Sequence, residues 1–141
     1  MARASSRRAI VRGGSGPGKA PRPVAMSRRA ADGQAAEAIA SRHLEAHGLR
    51  ILARNYRCRA GEIDIVAQDG DTLVFAEVRY RASSTYGGAA ASVDGRKQAK
   101  IVRAAQHYLA GRRECPCRFD VVLLDRLDAR AVEWIRDAFC V

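Results

Sequence analysis

Two alternating segments joined by a short polar turn constrain the fold of this 141-residue chain more than any other feature. Residues 62–67 and 72–80 are rich in β-branched and aromatic side chains, and the intervening residues 68–71 read Gln-Asp-Gly-Asp. Alternation with a period of two is typical of strands, and a Gly-containing turn between two such runs indicates a β-hairpin. The sequence therefore predicts an antiparallel pair of strands near the middle of the chain.

The segments on either side of this hairpin predict helices and further strands. Apolar residues at helical spacing predict one helix that follows an N-cap at Asp32 and ends at Gly48 as the C′ residue. A second helix is predicted after Ser92 or Asp94 and before Gly111. Residues 49–56, 118–124 and 132–135 predict three more strands. The order predicts an α/β fold with an α-β-β-β-α-β core, in which helices flank a small mixed sheet.

Positive charge is concentrated at the N-terminus. The formal net charge is +10, and residues 1–31 hold eight basic side chains and no acidic one. Because this Arg-, Gly- and Ser-rich stretch has almost nothing to bury, we expect a disordered basic arm over 1–31 and one domain over 32–141. The arm could grasp nucleic acid or act as an organelle transit peptide. Alternatively, Met26 is the true start and the arm is not part of the native protein.

Hydropathy and cysteine spacing argue against several protein classes. No apolar run approaches the roughly 20 residues that span a bilayer, so we expect no membrane association. The basic N-terminus lacks the apolar segment of a secretory signal, which favours a cytoplasmic protein with reduced thiols. The four cysteines include no Cys-x-x-Cys pair, which argues against structural zinc. Residues 82–93 predict a long surface loop.

Three carboxylates are predicted to share one face of the hairpin. If residues 69–70 form the turn, Ile65 pairs with Val74, and Ile63 lies with Ile65 on an apolar face. The opposite face then carries four charged side chains: Glu62, Asp64, Glu77 and Arg79. On this face Asp64 and Glu77 are diagonal neighbours, about 7–8 Å apart at the backbone. Two carboxylates can close that span around one ion.

Crowded carboxylates beside apolar residues need a compensating positive charge. One interpretation is a structural ion pair between Glu77 and Arg79. The other is a hard divalent cation, which takes oxygen ligands of this kind. The presence of Glu62 and Asp64 next to Glu77 favours the metal.

The same residues resemble a known family. Residues 61–64 (Gly-Glu-Ile-Asp) and 77–79 (Glu-Val-Arg), with a preceding helix that bears Glu37, are similar to the PD-(D/E)xK nuclease core. More closely, residues 33–139 resemble the small bacterial YraN family. The stretches that carry this resemblance are residues 61–64, 75–81, 86–93, 97–98 and 118–122. The resemblance implies a restriction-endonuclease-like fold, akin to archaeal Holliday-junction resolvases.

For nucleases of this type, the resemblance implies that Asp64 and Glu77 bind Mg²⁺ or Mn²⁺ and that the Val78 carbonyl completes the shell. Glu37 is implied as an additional ligand or as the residue that orients water. Gln98 lies where related nucleases carry a polar residue of the second helix. The implied activity is metal-assisted hydrolysis of DNA, including branched or recombination intermediates. The implied partners are DNA, a second copy of the chain in a symmetric homodimer, and DNA-repair or recombination proteins.

Arg79 departs from the lysine of the nuclease motif. An ammonium can shift its pKa and help to activate water, whereas a guanidinium stays charged and only holds phosphate or stabilises negative charge. Lys97 could supply an ammonium from the second helix. Two alternatives to catalysis therefore stay open. The protein could be a catalytically inactive nucleic-acid-binding module with Arg79 as a phosphate clamp, or an interaction subunit of a DNA repair or transformation complex.

Overall fold

A computed structural model describes residues 26–81 and 93–140, which form a five-stranded mixed sheet with a helix on each face. The helices are α1 (Arg28–Ala46) and α2 (Gly95–Leu109). The strands are β1 (Arg50–Cys58), β2 (Gly61–Asp69), β3 (Thr72–Tyr80), β4 (Cys117–Leu124) and β5 (Val132–Phe139), and a 3₁₀ helix (Ala129–Ala131) precedes β5. The predicted α/β class and the α-β-β-β-α-β core are confirmed.

The strands lie in the sheet in their chain order, and among the described strands only β3 and β4 run parallel. A parallel pair needs a crossover connection, and α2 lies between these two strands in the chain. The two helices cover opposite faces of the sheet, because each packs against a different apolar core. Helix α1 contacts β1, β2 and β3, and α2 contacts β1 and β2. None of the helices in the described ranges is long and apolar enough to cross a membrane.

Each face of the sheet has its own apolar core. On the α1 side, Ala36 and Ala40 lie against Ile65, Val74 and other buried residues of the strands. Another buried core forms on the α2 side, and its members include Ile63, Phe75, Ile101, Ala105 and Phe119. Because both faces are covered, β3 carries a continuous apolar run over residues 73–76, as expected for a central strand.

The first helix begins earlier than the sequence predicts. Ser27, not Asp32, is the N-cap, and its side-chain oxygen accepts a hydrogen bond from the Ala30 N–H at 3.1 Å. Residues 28–31 therefore belong to α1 rather than to the predicted arm, because a serine hydroxyl caps the helix one turn upstream. The rest of the predicted arm, residues 1–25, lies outside the described residues.

The other predicted helix ends agree with the structure. Gly48 follows the C-cap of α1 with φ +92°, a left-handed conformation that glycine adopts without strain. Asp94 is the N-cap of α2 and accepts a hydrogen bond from the Lys97 N–H at 2.9 Å. The alternative cap at Ser92 and most of the predicted loop, residues 82–92, lie outside the described residues.

The register of the β2–β3 hairpin differs from the prediction by two residues. Asp69 pairs with Thr72 and Ile65 pairs with Ala76, so the turn residues are Gly70 and Asp71 rather than 69–70. Gly70 has φ +59° and thereby supplies the positive φ that tight hairpin turns require at their first central position. An even shift keeps each side chain on its face but changes which residues meet.

The prediction that Ile63 and Ile65 share one apolar face of β2 is wrong. Ile63 packs in the core beside α2, whereas Ile65 packs in the core beside α1. Opposite this switch, between the paired residues Arg54 and Tyr56, Asn55 has φ +55°. Asparagine tolerates this left-handed conformation better than most residues, so the β1–β2 ribbon changes face here. Asp64 lies at the point of the switch.

Candidate metal centre

Asp64 and Glu77 form a carboxylate pair where β2 separates from β3. Both lie next to the last pair of the hairpin register, Ile65 with Ala76, on the side away from the turn. The two carboxyl groups lie close enough to share a hydrogen bond when one of them is protonated, and the Val78 N–H donates to Asp64 Oδ2 at 2.8 Å. One backbone amide of β3 therefore orients Asp64 toward its neighbour, and the structure brings together two of the predicted ligands.

Burial makes this pair difficult to ionise fully. Glu77 is 5% exposed, and its burial, reinforced by the neighbouring Asp64 carboxylate, raises the pKa of Glu77 to about 7. Burial also raises the pKa of Asp64, while the hydrogen bond from the Val78 N–H opposes that rise. Two acidic groups in contact hold either a shared proton or a cation between them.

Two cationic side chains approach Glu77 without cancelling the effect of its burial. Lys97 Nζ lies 3.6 Å from Glu77 Oε2, and Arg79 Nε lies 3.3 Å from the same oxygen. Both charges lower the pKa of Glu77, yet that pKa stays near 7. Arg79 Nε is buried and finds no hydrogen-bond acceptor among the described residues. The ion pair between Glu77 and Arg79 therefore exists, but its geometry is poor.

Lys97, which the sequence suggested only as an alternative source of an ammonium, contacts the carboxylate pair. A lysine in the first turn of a helix is usually exposed, whereas Lys97 reaches from α2 to the carboxylate pair. The signal that could have found Lys97 is the arginine at position 79 where the nuclease motif has lysine, since it directs attention to lysines on neighbouring elements. The N-cap at Asp94 sets the start of α2 and so positions Lys97.

Glu37 lies on α1 near the pair and carries an unsatisfied oxygen. Its Oε1 is buried, and no described residue hydrogen-bonds to it. Burial raises the pKa of Glu37, the Asp64 carboxylate raises it further, and a hydrogen bond with Asn55 opposes the rise. Glu37 lines a cleft of about 370 Å³ between α1 and the β1–β2 hairpin. The other lining residues are Ala30, Gly33, Gln34, Asn55, Arg57 and Glu62.

Two predicted residues lie elsewhere. Glu62 was predicted to share a face with Asp64 and Glu77, but its Oε2 pairs with Arg57 Nε at 3.0 Å, because Arg57 is its partner on the neighbouring strand β1. The side-chain amide of Gln98 donates a hydrogen bond to the Val93 carbonyl at 3.0 Å, just before α2 begins. Gln98 therefore closes the start of the helix, and its described hydrogen bonds do not reach the carboxylate pair.

The oxygen donors fit a hard divalent cation that retains water. Within residues 26–81 and 93–140, no three His, Cys, Asp or Glu side chains gather into one group that could hold a metal. Mg²⁺ usually binds one or two carboxylates and keeps several waters, so a full protein cage is not required. Asp64 and Glu77 supply the two carboxylates, and the buried unpaired oxygen of Glu37 can accept from a bound water.

A second buried carboxylate, Asp120 in β4, belongs to a different network on the other side of the sheet. Asp120 is 0% exposed and accepts hydrogen bonds from Arg118 Nε at 3.0 Å and from Trp134 Nε1 at 2.9 Å. The backbone N–H of Asp137 also donates to it at 2.9 Å, and Arg118 Nη1 reaches Asp69 Oδ2 at 2.9 Å. We call this set the Asp120 network. Its carboxylate is fully satisfied, which is typical of a structural role.

Comparison with known proteins identifies relatives over nearly the whole described region. The model of a family described as "Uncharacterised protein family UPF0102" matches residues 36–124. A UPF0102 protein of Methylobacillus flagellatus is 52% identical over 107 residues, which cover 76% of this chain and 95% of that protein. A UPF0102 protein of Stutzerimonas stutzeri is 52% identical over 118 residues, 81% of this chain and 98% of that protein. Their names state no activity.

Proposed function

The chain belongs to the UPF0102 family, which is the YraN family, and we propose that this protein is a metal-dependent endonuclease that hydrolyses DNA. The observation that carries the proposal is the buried carboxylate pair. The pKa of Glu77 is about 7 although two cationic side chains lie within 3.6 Å of its carboxylate. Because the neighbouring cations do not fully compensate its negative charge, the carboxylate pair is suited to bind a divalent cation.

Asp64 and Glu77 would hold Mg²⁺ or Mn²⁺, together with the carbonyl oxygen of Val78. Such an ion, when bound, polarises a phosphodiester oxygen and makes a water nucleophilic at neutral pH. The Val78 N–H keeps one Asp64 oxygen oriented, which leaves the other free to act as a ligand. Glu37 would accept a proton or orient water through its unpaired Oε1. Branched or recombination intermediates are the proposed substrates.

Lys97 and Arg79 would each take over part of the role that the motif lysine has in related nucleases. The Lys97 ammonium lies against Glu77 from α2 and is a group that can give or take a proton close to the reacting atoms. The Arg79 guanidinium stays charged, so it would hold a phosphate oxygen and stabilise developing negative charge. In this proposal the acid–base function moves from β3 to α2.

Metal-dependent stabilisation tests the proposal together with cleavage of a branched DNA. Mn²⁺ should raise the melting temperature of the native protein by mass action, since only the folded site binds the ion. Asp64→Asn and Glu77→Gln should abolish both this rise and the cleavage. Asp71→Asn is the matched control, because Asp71 is an exposed carboxylate in the turn of the same hairpin, away from the carboxylate pair. A native protein whose melting and DNA substrate are both indifferent to Mn²⁺ would contradict the proposal.

A second candidate function is DNA binding without hydrolysis. It is favoured by Arg79, because a guanidinium 3.3 Å from Glu77 competes with any cation for that carboxylate. Arg79→Lys separates the two candidates. A hydrolytic site should keep or gain cleavage when the motif lysine is restored, whereas a bidentate phosphate clamp should lose DNA affinity.

A further inference from the structure

The outer face of α2 carries a stripe of basic side chains. Arg96, Lys100 and Arg103 follow one another at intervals of four and three residues, so they lie on the same side of the helix. All three are exposed, whereas Ile101 and Ala105 on the opposite side are buried in the core. The stripe therefore faces away from the sheet along most of the length of α2.

One arginine of the β1–β2 hairpin extends this stripe. The Lys100 carbonyl oxygen lies 3.5 Å from the position that a Cβ on Gly61 would occupy, so α2 runs directly beside the β1–β2 turn. Arg59 in that turn is exposed. We call the four cations the basic surface: Arg59, Arg96, Lys100 and Arg103.

The basic surface has little negative charge of its own. Within the described ranges, none of its four members forms a salt bridge with an acidic side chain. The segments β1 and α2 contain no Asp or Glu at all. Neighbouring cations on one helix face repel each other, and a bound polyanion relieves that repulsion.

The opposite edge of the sheet is charged differently. Residues 125–140 hold four acidic side chains and three arginines. Two of these arginines, Arg126 and Arg130, both pair with Asp128. The domain is therefore polarised across the sheet, with unpaired positive charge at the β1 and α2 side and internally compensated charge at the β5 side.

We propose that the basic surface binds the phosphate backbone of DNA and guides it past the carboxylate pair. One end of this surface lies beside the candidate metal centre, because Arg96 directly precedes Lys97, which contacts Glu77. Duplex DNA carries one negative charge per about 1.7 Å of its axis, so a row of cations displaces several condensed counterions on binding. The inference takes DNA as its partner from the proposed function but does not depend on hydrolysis.

The salt dependence of DNA binding tests this inference with a chemically matched control. The test variant combines Arg96→Gln with Arg103→Gln, and the control combines Arg126→Gln with Arg130→Gln on the opposite edge. Both variants lose two arginines and the same net charge. Affinity for a fluorescently labelled DNA duplex is measured against salt concentration in a chelator, so that no cleavage occurs.

The test variant should flatten the slope of log K against log salt by just under two, because each phosphate contact contributes about 0.9. The control should keep the native slope and affinity. Equal flattening in both variants would show that only net charge matters, and an unchanged slope in the test variant or no DNA binding at all would likewise overturn the inference. Native binding through the basic surface without Mn²⁺-dependent cleavage would contradict the proposed function alone.

Discussion

The Asp120 network and the carboxylate pair are both buried in the same sheet, yet their charges are compensated in opposite ways. Asp120 is surrounded by donors, which come from two side chains and a backbone amide. Glu77 meets another carboxyl group, Asp64, and two cations whose effect is smaller than that of burial. Burial of a carboxylate therefore does not identify its role. The balance between donors and negative charge around it does.

The sheet itself separates the two sites. In the parallel β3–β4 pair, Asp120 lies beside Ala76, a member of the core on the α1 side. Glu77 is the next residue along β3 and therefore points to the α2 side, where it meets Lys97. Neighbouring positions of one sheet thus carry two different carboxylates. Asp120 connects strands through its hydrogen bonds, whereas the negative charge of Glu77 is not fully compensated.

The largest predicted difference between the two sites is in stability. Asp120→Asn should destabilise the protein by about 3–5 kcal/mol, because it removes one of the two carboxylates that pair with Arg118 and sets an amide N–H group against the buried donors of Trp134 and Asp137. Asp64→Asn should leave the metal-free protein unchanged or more stable, because it relieves repulsion within the carboxylate pair. Urea denaturation in a chelator measures both. Similar losses in the two variants would mean that the carboxylate pair is also structural.

The next predicted effect is a pH dependence that arises at the carboxylate pair. The pKa of Glu77 is raised from 4.5 to about 7 in the folded protein, so the folded state binds this proton more tightly than the unfolded state. The contribution of this proton to the free energy of unfolding is fully present below about pH 4.5 and is lost as the pH rises through about 7. We expect the native, metal-free protein to lose about 1–3 kcal/mol over this window.

Glu77→Gln should remove that pH-dependent loss, since the amide does not titrate. Urea denaturation across the same pH window measures it, with Asp71→Asn in the hairpin turn as the control that keeps the native profile. A Glu77→Gln profile that parallels the native one would show that the pH dependence comes from elsewhere, and would weaken the contrast with the Asp120 network.

The smallest predicted effects come from replacing the arginine at each site by lysine. Arg118 bonds two carboxylates at once, Asp120 through Nε and Asp69 through Nη1, and a single ammonium spans that distance poorly. Arg118→Lys should therefore cost about 1–2 kcal/mol. Arg79→Lys should cost less than about 1 kcal/mol, because Arg79 Nε forms no hydrogen bond within the described residues. Melting curves of the two variants provide the comparison, and a larger loss for Arg79→Lys would reverse it.

Most of the fold follows from local patterns in the sequence. Alternation located β3 at residues 72–80 without error, and the Asp94 cap together with the helical spacing of apolar residues located α2. The start of α1 was missed because Ser27 and Asp32 are both good caps, and local propensity does not choose between them. The hairpin register was missed for a similar reason, since both turns contain Gly70 and preserve the same faces.

The candidate metal centre could be predicted only in part. The spacing of Asp64 and Glu77 in two alternating strands was enough to place both on one patch, and the structure puts them in contact. It was not enough to predict that Glu62 moves away to Arg57, or that Gln98 closes the start of α2. Those outcomes depend on the face switch at Asn55 and on how α2 docks beside Gly61, which join segments distant in sequence.

The sequence by itself determined the order of helices and strands, the family and the carboxylates that are available as ligands. These features are encoded in local periodicity and in motifs of a few residues. Only the tertiary structure decided that Lys97 lies against Glu77, that the Asp120 carboxylate is fully hydrogen-bonded, and that the charge of Glu77 is not fully compensated. The physical reason is that the pKa of a buried carboxyl group sums over every charge and donor around it, and those neighbours arrive from different strands and helices.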